Sequence, residues 1–545
     1  MKTIKIKIKS ENKTLEFNFE KKQLLSDFLN KQDIPISQPC GGAGICGKCK
    51  IQFTKNAPNP TTDEKRLFSN EEINSGFRLA CQTKINSSCE VIIPPKLEND
   101  SIKNIISKYK YTKKKAIVFD TDENFGLAVD IGTTTLSCSI VDINSKDVID
   151  TITTNNPQSI FGFDVISRID YSSKSEANLE QLQKLIINKL DESILILCNR
   201  NNFSTSSISH VAIAGNTVMN HLFLKIDPYS ISVPPYNPVV KIFQKLSMKD
   251  LNFKINNSAE ISILPNIGGF VGGDITADLI VTDALNRKTN YLLIDIGTNC
   301  ELVIYKNGEY FSASSPAGPA LEGANIHNGM RAISGAIVDI MQVNNELKLL
   351  TVENKKPIGI SGSGLFHIIE FLVKNDIINS QGKLIDEENL AKLNNKKAFQ
   401  KRIKFNKNGV KYFILQKDNN GNNEIILTQK DIREFQLAKS SIVAGWKVLC
   451  EKVNINPAEI EQVYIAGAFG NFIRPETVLS LGLVPNISPE KINYIGDGAL
   501  LGSQMILLDK NNIKKCEDIL EKNSYIELSG RTDFQEFYIE DLGKI

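Results

Sequence analysis

Between Lys2 and Phe19 the chain alternates polar and apolar positions almost without fault. TIKIKIKS and TLEFNFE, joined by ENK, put isoleucine, leucine and phenylalanine on one face and charged or polar side chains on the other. That period of two predicts an antiparallel hairpin. LLSDFLN reads as a short helix, CKIQF as a strand, and CEVIIPP as a late strand stopped by two prolines. From Phe125 the pattern changes. GLAVDIGTTTLSCSIVDI, HVAIAGNTVMNHLFL and YLLIDIGTNCELVIY each open on a nearly unbroken apolar run, as expected of strands covered on both faces. NLEQLQKLIINKLDESILILC carries helical spacing and predicts a long amphipathic helix. A small, mostly β unit is therefore expected in front of an α/β region.

The two patterns meet across KLENDSIKNIISKYKYTKKKA, which is rich in lysine and poor in apolar residues. It reads as a solvated linker, with a docking surface for an acidic partner as the sharper alternative. Within the α/β region, AVDIGTTT at 128–135 and LIDIGTNC at 293–300 echo each other at a separation of 165 residues. That spacing is too long for a solenoid repeat and suits two similar domains. The expected division is 1–95, a linker at 96–124, a middle domain at 125–287 and a C-terminal domain at 288–545.

Composition narrows the class. At 545 residues the chain exceeds one core, and its 41% hydrophobic and 23% charged content is that of a globular protein. A net charge of +2 argues against a broad nucleic-acid surface. MKTIKIKIKS lacks the apolar stretch of a signal peptide, and no run of about 18 apolar residues suggests a membrane span. The expectation is a cytoplasmic protein with no nucleic-acid or membrane partner, without disulfides.

Five of the ten cysteines lie near the front. PCGGAGICGKC, followed by RLACQ, spaces Cys40, Cys46 and Cys49 as C-x5-C-x2-C, with Cys81 remote. Small residues let such a loop close on an inorganic cluster and point backbone N–H groups at its sulfurs. The spacing is one residue longer than C-x4-C-x2-C and resembles the adrenodoxin-like and related branch of [2Fe–2S] ferredoxins. Structural zinc with four cysteines is the competing reading, although zinc sites usually pair two C-x2-C knuckles. Cys89 reads as a bystander on another strand, and the later cysteines as small buried hydrophobes.

Asp130, Gly132, Thr133 and Thr134 follow an apolar strand; Asp295, Gly297, Thr298 and Asn299 do the same. Such a turn lets glycine bring the backbone close to a phosphate while N–H groups and hydroxyls donate, and the aspartate can hold Mg²⁺ through water. Two copies facing each other would grip a nucleotide from both sides. The pairing resembles the superfamily of acetate and sugar kinases, heat-shock chaperone ATPases and actin. In that frame NIGGFVGGDITADLI and YIGDGALLGS match the two connecting helices, and VYIAGAFGNF, with Gly467 and Gly470, matches the adenosine loop. Glu322, Gly323 and the turn 361–364 are placed at the cleft without a role. Of the four histidines only His221, beside NTVMN, is singled out.

Across essentially its whole length the order of parts resembles the reductive activators of corrinoid proteins. PCGGAGICGKC, AVDIGTTT, AIAGNTVMNHL, LLIDIGTNCEL, SSPAGPALEGANI, ISGSGL and YIAGAFGNF carry that resemblance. It implies a β-grasp-like [2Fe–2S] ferredoxin domain, a linker and two RNase-H-like, actin-like ATPase lobes. It further implies an ATP-dependent enzyme that restores inactive Co(II) corrinoid to Co(I) on a partner protein. The cobalt arrives on that partner, since no DxHxxG-type element is present. Carried over residue by residue, Cys40, Cys46, Cys49 and Cys81 would hold the cluster. Asp130 and Asp295 would serve catalysis, with Gly132, Thr133, Thr134, Gly297, Thr298, Asn299, Gly467 and Gly470 around ATP and Mg²⁺. A corrinoid subunit or corrinoid/iron–sulfur protein, an electron donor such as a reduced ferredoxin or flavoprotein, and a homodimer complete the implied partners. The rival reading is a metabolite kinase with a redox-sensing ferredoxin domain.

Overall fold

The computed structural model describes residues 2–8, 13–19, 22–32, 34, 49–93, 124–162, 164–241, 244–247, 251, 253, 259–285, 289–297, 299–323, 325–343, 346–390, 398–399, 401–417, 424–467 and 473–545. The lysine-rich linker reading falls almost wholly outside them. By its contacts the chain separates into two units. One gathers 1–98, 327–371 and 386–428, and the other 99–326, 372–385 and 429–545.

In the first unit the alternating front end forms the expected hairpin, Lys2–Ile8 against Lys13–Phe19. It sits at one side of a five-stranded mixed sheet continued by Cys89–Ile93, Lys50–Lys55 and Phe77–Leu79. Ile4 and Ile6 are fully buried and Lys5 and Lys7 exposed, so a one-residue slip would drive lysines into the core. Each buried isoleucine contributes about 1.5–3 kcal/mol. The helix Leu25–Lys31 covers the sheet with Leu25, Phe28 and Leu29. This is the β-grasp-like layout anticipated from the sequence. The same unit holds two three-stranded sheets, one of Ala336–Val343, Glu346–Thr351 and Gly359–Ile360, the other of Ile403–Phe405, Lys411–Gln416 and Ile425–Thr428.

The second unit contains two six-stranded sheets of matching design. In one, Phe125–Ile131 pairs antiparallel with Thr135–Asp142, which pairs antiparallel with Asp147–Asn155. On its other side it runs parallel to Ile208–Gly215, which runs parallel to Glu260–Ile263. In the other sheet, Tyr291–Ile296, Cys300–Lys306 and Glu309–Ser315 form the antiparallel set, and Gln462–Ala466 and Ile492–Gly496 add in parallel. The long amphipathic helix runs from Glu176 to Asn201 and buries Leu182, Ile186, Leu190 and Leu197 beneath the first sheet.

Two helices tie the sheets together. Gly273–Leu285 and Gly498–Leu508 pack so closely that a Cβ on Gly502 would come within 2.5 Å of the Ala277 carbonyl oxygen. Ser503 Oγ donates to the Val129 carbonyl in the first sheet. At the far end of Gly273–Leu285, Asp283 accepts from Tyr310 Oη of the second sheet. Small residues in these helices are thus demanded by contact, as their sequences foretold.

Candidate functional site

The turn between Phe125–Ile131 and Thr135–Asp142 is held from behind. Gly132 N–H donates to the Thr135 carbonyl at 2.9 Å. Asn156 Nδ2 donates to the Gly132 carbonyl at 2.8 Å, while its own backbone N–H donates to the Thr134 carbonyl at 2.9 Å. Asn216, at the N-cap of Thr217–Phe223, donates from Nδ2 to Thr133 Oγ1 at 2.9 Å. Carbonyls turned inward leave the following N–H groups pointing the other way, as an anion-binding turn requires.

The second turn closes one residue tighter, with Gly297 N–H donating to the Asn299 carbonyl at 3.0 Å. Thr298 lies outside the described residues. The two differ in what faces the aspartate across the hairpin: Ser137 opposite Asp130, but Glu301 opposite Asp295. Two carboxylates directly across a strand pair repel. Gly467 closes in on this turn with φ +104°. A Cβ there would come within 2.4 Å of the Ile296 carbonyl oxygen and 3.3 Å of Asp295 Oδ1, so no other residue fits. Gly470 lies outside the described residues.

Around the two turns gathers an acid set larger than the sequence disclosed. Asp274 stands in the first turn of Gly273–Leu285, and Asp278 one turn on. Asp497 caps Gly498–Leu508, accepting from Leu500 N–H at 2.9 Å. Burial, followed by Asp274, Asp497 and Glu322, pushes the Asp295 carboxyl up to about 8. Burial raises Asp274 to about 6 against the opposing pull of backbone N–H groups. Asp130 is raised by burial and then by Asp497, Asp274 and Asp295. Glu301 is raised by burial and then by Asp274 and Asp295. Asp278 is only 1% exposed, both its carboxyl oxygens lack a hydrogen-bond partner among the described residues, and burial and four neighbouring aspartates raise it. Asp130, Asp274, Asp295 and Asp497 keep part of their surface open, so a ligand can reach them.

Such mutual repulsion fits a site that waits for positive charge. Among the described residues no three acidic, histidine or cysteine side chains converge at metal-ligand geometry. A stability consequence follows. Asp274 and Asp295 have folded-state values above the unfolded value near 4, so the folded state holds more protons than the unfolded one. Their stabilising protonation is complete below pH 4 and is lost as pH rises through about 6 and about 8. The ligand-free protein should therefore show a lower Tm at pH 8 than at pH 6, and Mg²⁺ with ATP should shrink the difference.

The other residues singled out from the sequence divide. Glu322 lies near the second turn, its Oε1 3.9 Å from where a Gly297 Cβ would be. Gly323 caps the short helix Pro319–Glu322 with φ +86°. Ser361 Oγ donates to the Ile337 carbonyl and begins the helix Gly362–Lys374. His221 is fully buried. Its Nδ1 meets the Thr217 carbonyl at 2.7 Å and its Nε2 accepts from the Val239 and Val240 N–H groups. Burial lowers its pKa, so it is a neutral structural bracket.

At the front of the chain, Cys49 Sγ and Cys81 Sγ lie 3.2 Å apart and buried. This is too far for a bond between them, and it is shorter than the roughly 3.8 Å between two thiolates on one tetrahedral metal atom, so the pair would have to open slightly to share one. Ala80 N–H donates to the Cys49 carbonyl at 3.0 Å, locking the two cysteine segments together. Buried Glu64 accepts from Leu79 and Thr61 N–H groups and anchors the same segment. Cys40 and Cys46 lie outside the described residues. Cys89 sits in its own strand, its thiol pushed up to about 11 by burial. Cys138, Cys198, Cys300, Cys450 and Cys516 are all buried.

No helix among the described residues is long and apolar enough to cross a membrane. Three family models tile the chain in order. A 2Fe-2S iron-sulfur cluster binding domain matches residues 8–86, the RACo middle region 125–287, and the C-terminal domain of RACo, described as the ASKHA domain, 289–543. The corrinoid activation enzyme RamQ of Eubacterium limosum is 29% identical over 96% of both chains. A [Co(II) methylated amine-specific corrinoid protein] reductase of Methanosarcina barkeri is 22% identical over 77% of this chain and 76% of its own. Among solved structures, a reductive activator for corrinoid,iron-sulfur protein superposes with a TM-score of 0.70 at 28% identity, covering 100% of this chain and 98% of that one. With an iron–sulfur domain, a middle region and an ATPase domain matched in that order, the chain belongs to the family of reductive activators of corrinoid proteins.

Proposed function

We propose that this protein is an ATP-dependent reductive activator, which passes one electron to the inactive Co(II) corrinoid of a partner protein and so restores Co(I). The observation that carries the reading is the union, in one chain, of a buried, adjacent cysteine pair with twin Asp–Gly turns set in an acid-lined site. Cys40, Cys46, Cys49 and Cys81 would hold a [2Fe–2S] cluster, which supplies a one-electron carrier. Asp130 and Asp295 would position Mg²⁺, which screens the triphosphate. Gly132, Thr133, Thr134, Gly297, Thr298 and Asn299 would hold the phosphates from two sides, and Gly467 and Gly470 would admit the adenosine. The segments 1–95, 96–124, 125–287 and 288–545 would be the corresponding working divisions.

The need for ATP is thermodynamic. A plant-type [2Fe–2S] centre lies near −400 mV, and each 59 mV of unfavourable mismatch costs about tenfold in a one-electron equilibrium. Nucleotide bound more tightly in one conformation than another can offset that mismatch by the difference in affinity. A reduced ferredoxin or flavoprotein would recharge the carrier, in the cytoplasm, with the activator working as a homodimer.

The names of the relatives favour this reading over a metabolite kinase with a redox-sensing domain. Phosphorus NMR separates the two. With ATP and a Co(II) corrinoid protein, the reduced chain should form ADP and inorganic phosphate and no other phosphorylated product. A phosphorylated sugar or acid formed without corrinoid protein would sink the proposal.

A further inference from the structure

Arg168, in the helix Val165–Ser172, is fully buried, yet its partners among the described residues are all neutral. Nε donates to the Gly162 carbonyl at 2.9 Å and Nη1 to Gln158 Oε1 at 3.2 Å, with Met219 Sδ also 3.2 Å from Nη1. Nη2 donates to the Thr133 carbonyl at 2.5 Å. Burial brings its pKa down to about 10, with Asp164 acting only from a distance, so the guanidinium remains charged at neutral pH. A buried cation without a carboxylate partner is costly, and its place explains the cost.

Arg168 completes the inward anchoring of the first turn. The carbonyls of Gly132 and Thr134 are taken by Asn156, and that of Thr133 by Arg168. Because carbonyl and N–H of one peptide plane point oppositely, the Arg168 bond turns the Thr134 N–H outward, as Asn156 does for that of Thr133. The unmatched charge directly behind the turn also adds positive potential where the turn meets an anion. The second turn differs in having Glu301 across the hairpin and Glu322 beside it.

We propose that Arg168 is a positioning residue for nucleotide phosphate, holding the first turn's N–H groups outward while its buried charge awaits the phosphates as counter-charge. The inference rests on the reading of the twin turns as a nucleotide site, and it makes their hold on phosphate unequal, the first turn having a buried guanidinium behind it.

The test is isothermal titration of the full-length, cluster-loaded protein with ATP and, separately, with adenosine, in wild type, R168M and R168K. R168M should weaken ATP at least tenfold and leave adenosine within twofold. R168K, which keeps the charge and loses the fork, should weaken ATP about three- to tenfold with adenosine again unchanged. If R168M does not fold, R168K decides by the same comparison. Unchanged ATP affinity in a folded variant, or equal weakening of ATP and adenosine, overturns the proposal. A wild-type protein that binds no ATP at all overturns the nucleotide reading instead, a distinguishable failure.

Discussion

Asp295→Ala is expected to lower ATP-dependent Co(I) formation by at least about 10²-fold, the scale for losing one preorganised electrostatic group, with no change in the visible spectrum of the iron–sulfur cluster. The residue stands at the end of the central strand Tyr291–Ile296, opposite Glu301 and against Gly467. Its carboxyl, held up to about 8 by burial and three acidic neighbours, is a poor contributor to folding. Removing it should therefore leave the ligand-free protein as stable as wild type or more so, since a buried polar carboxyl whose ionisation the surroundings oppose is lost. Activity and stability moving in opposite directions is the signature of a functional group rather than a structural one. Anaerobic absorbance of Co(I) and a thermal melt check it. Loss of both the cluster spectrum and activity, or of neither, would contradict this division of labour.

Cys81→Ala is expected to do the reverse. The visible absorbance should vanish and Co(I) formation with it, while ATP still binds. Cys81 follows the strand Phe77–Leu79, and its sulfur lies 3.2 Å from that of Cys49, so the substitution removes one of the two paired sulfurs. Cys89→Ala is the control: it changes a thiol that burial keeps protonated and should keep both colour and activity. Retained absorbance in Cys81→Ala, or stoichiometric zinc in the native protein, would refute the cluster assignment.

Where periodicity is local, the sequence was a sufficient guide. The hairpin Lys2–Phe19, the long helix and the strands leading into both Asp–Gly turns follow from alternation and apolar runs. The duplication placed Asp130 and Asp295 because each sits at a strand end in a repeated phrase. What stayed hidden depends on packing between distant segments. Asp274 and Asp278 read only as polar positions in a small-residue helix. They reach Asp497 because Gly273–Leu285 meets Gly498–Leu508, more than 200 residues later. A usable signal was present in GGD and GDG, where an aspartate follows glycine at the start of each connecting helix. Asn156 and Arg168 had no such signal, since single polar residues beside a turn carry no period. The gathering of 327–371 and 386–428 with the front of the chain was likewise beyond any local pattern.

The central claim is that nucleotide held by the twin turns drives the electron from the cysteine-bound cluster onto cobalt. Its most direct test is the yield of Co(I), read at its absorption band, when the reduced protein is mixed anaerobically with a Co(II) corrinoid protein with and without MgATP. The account predicts little Co(I) without nucleotide and near-complete conversion with it. Equal yields in the two samples would contradict it.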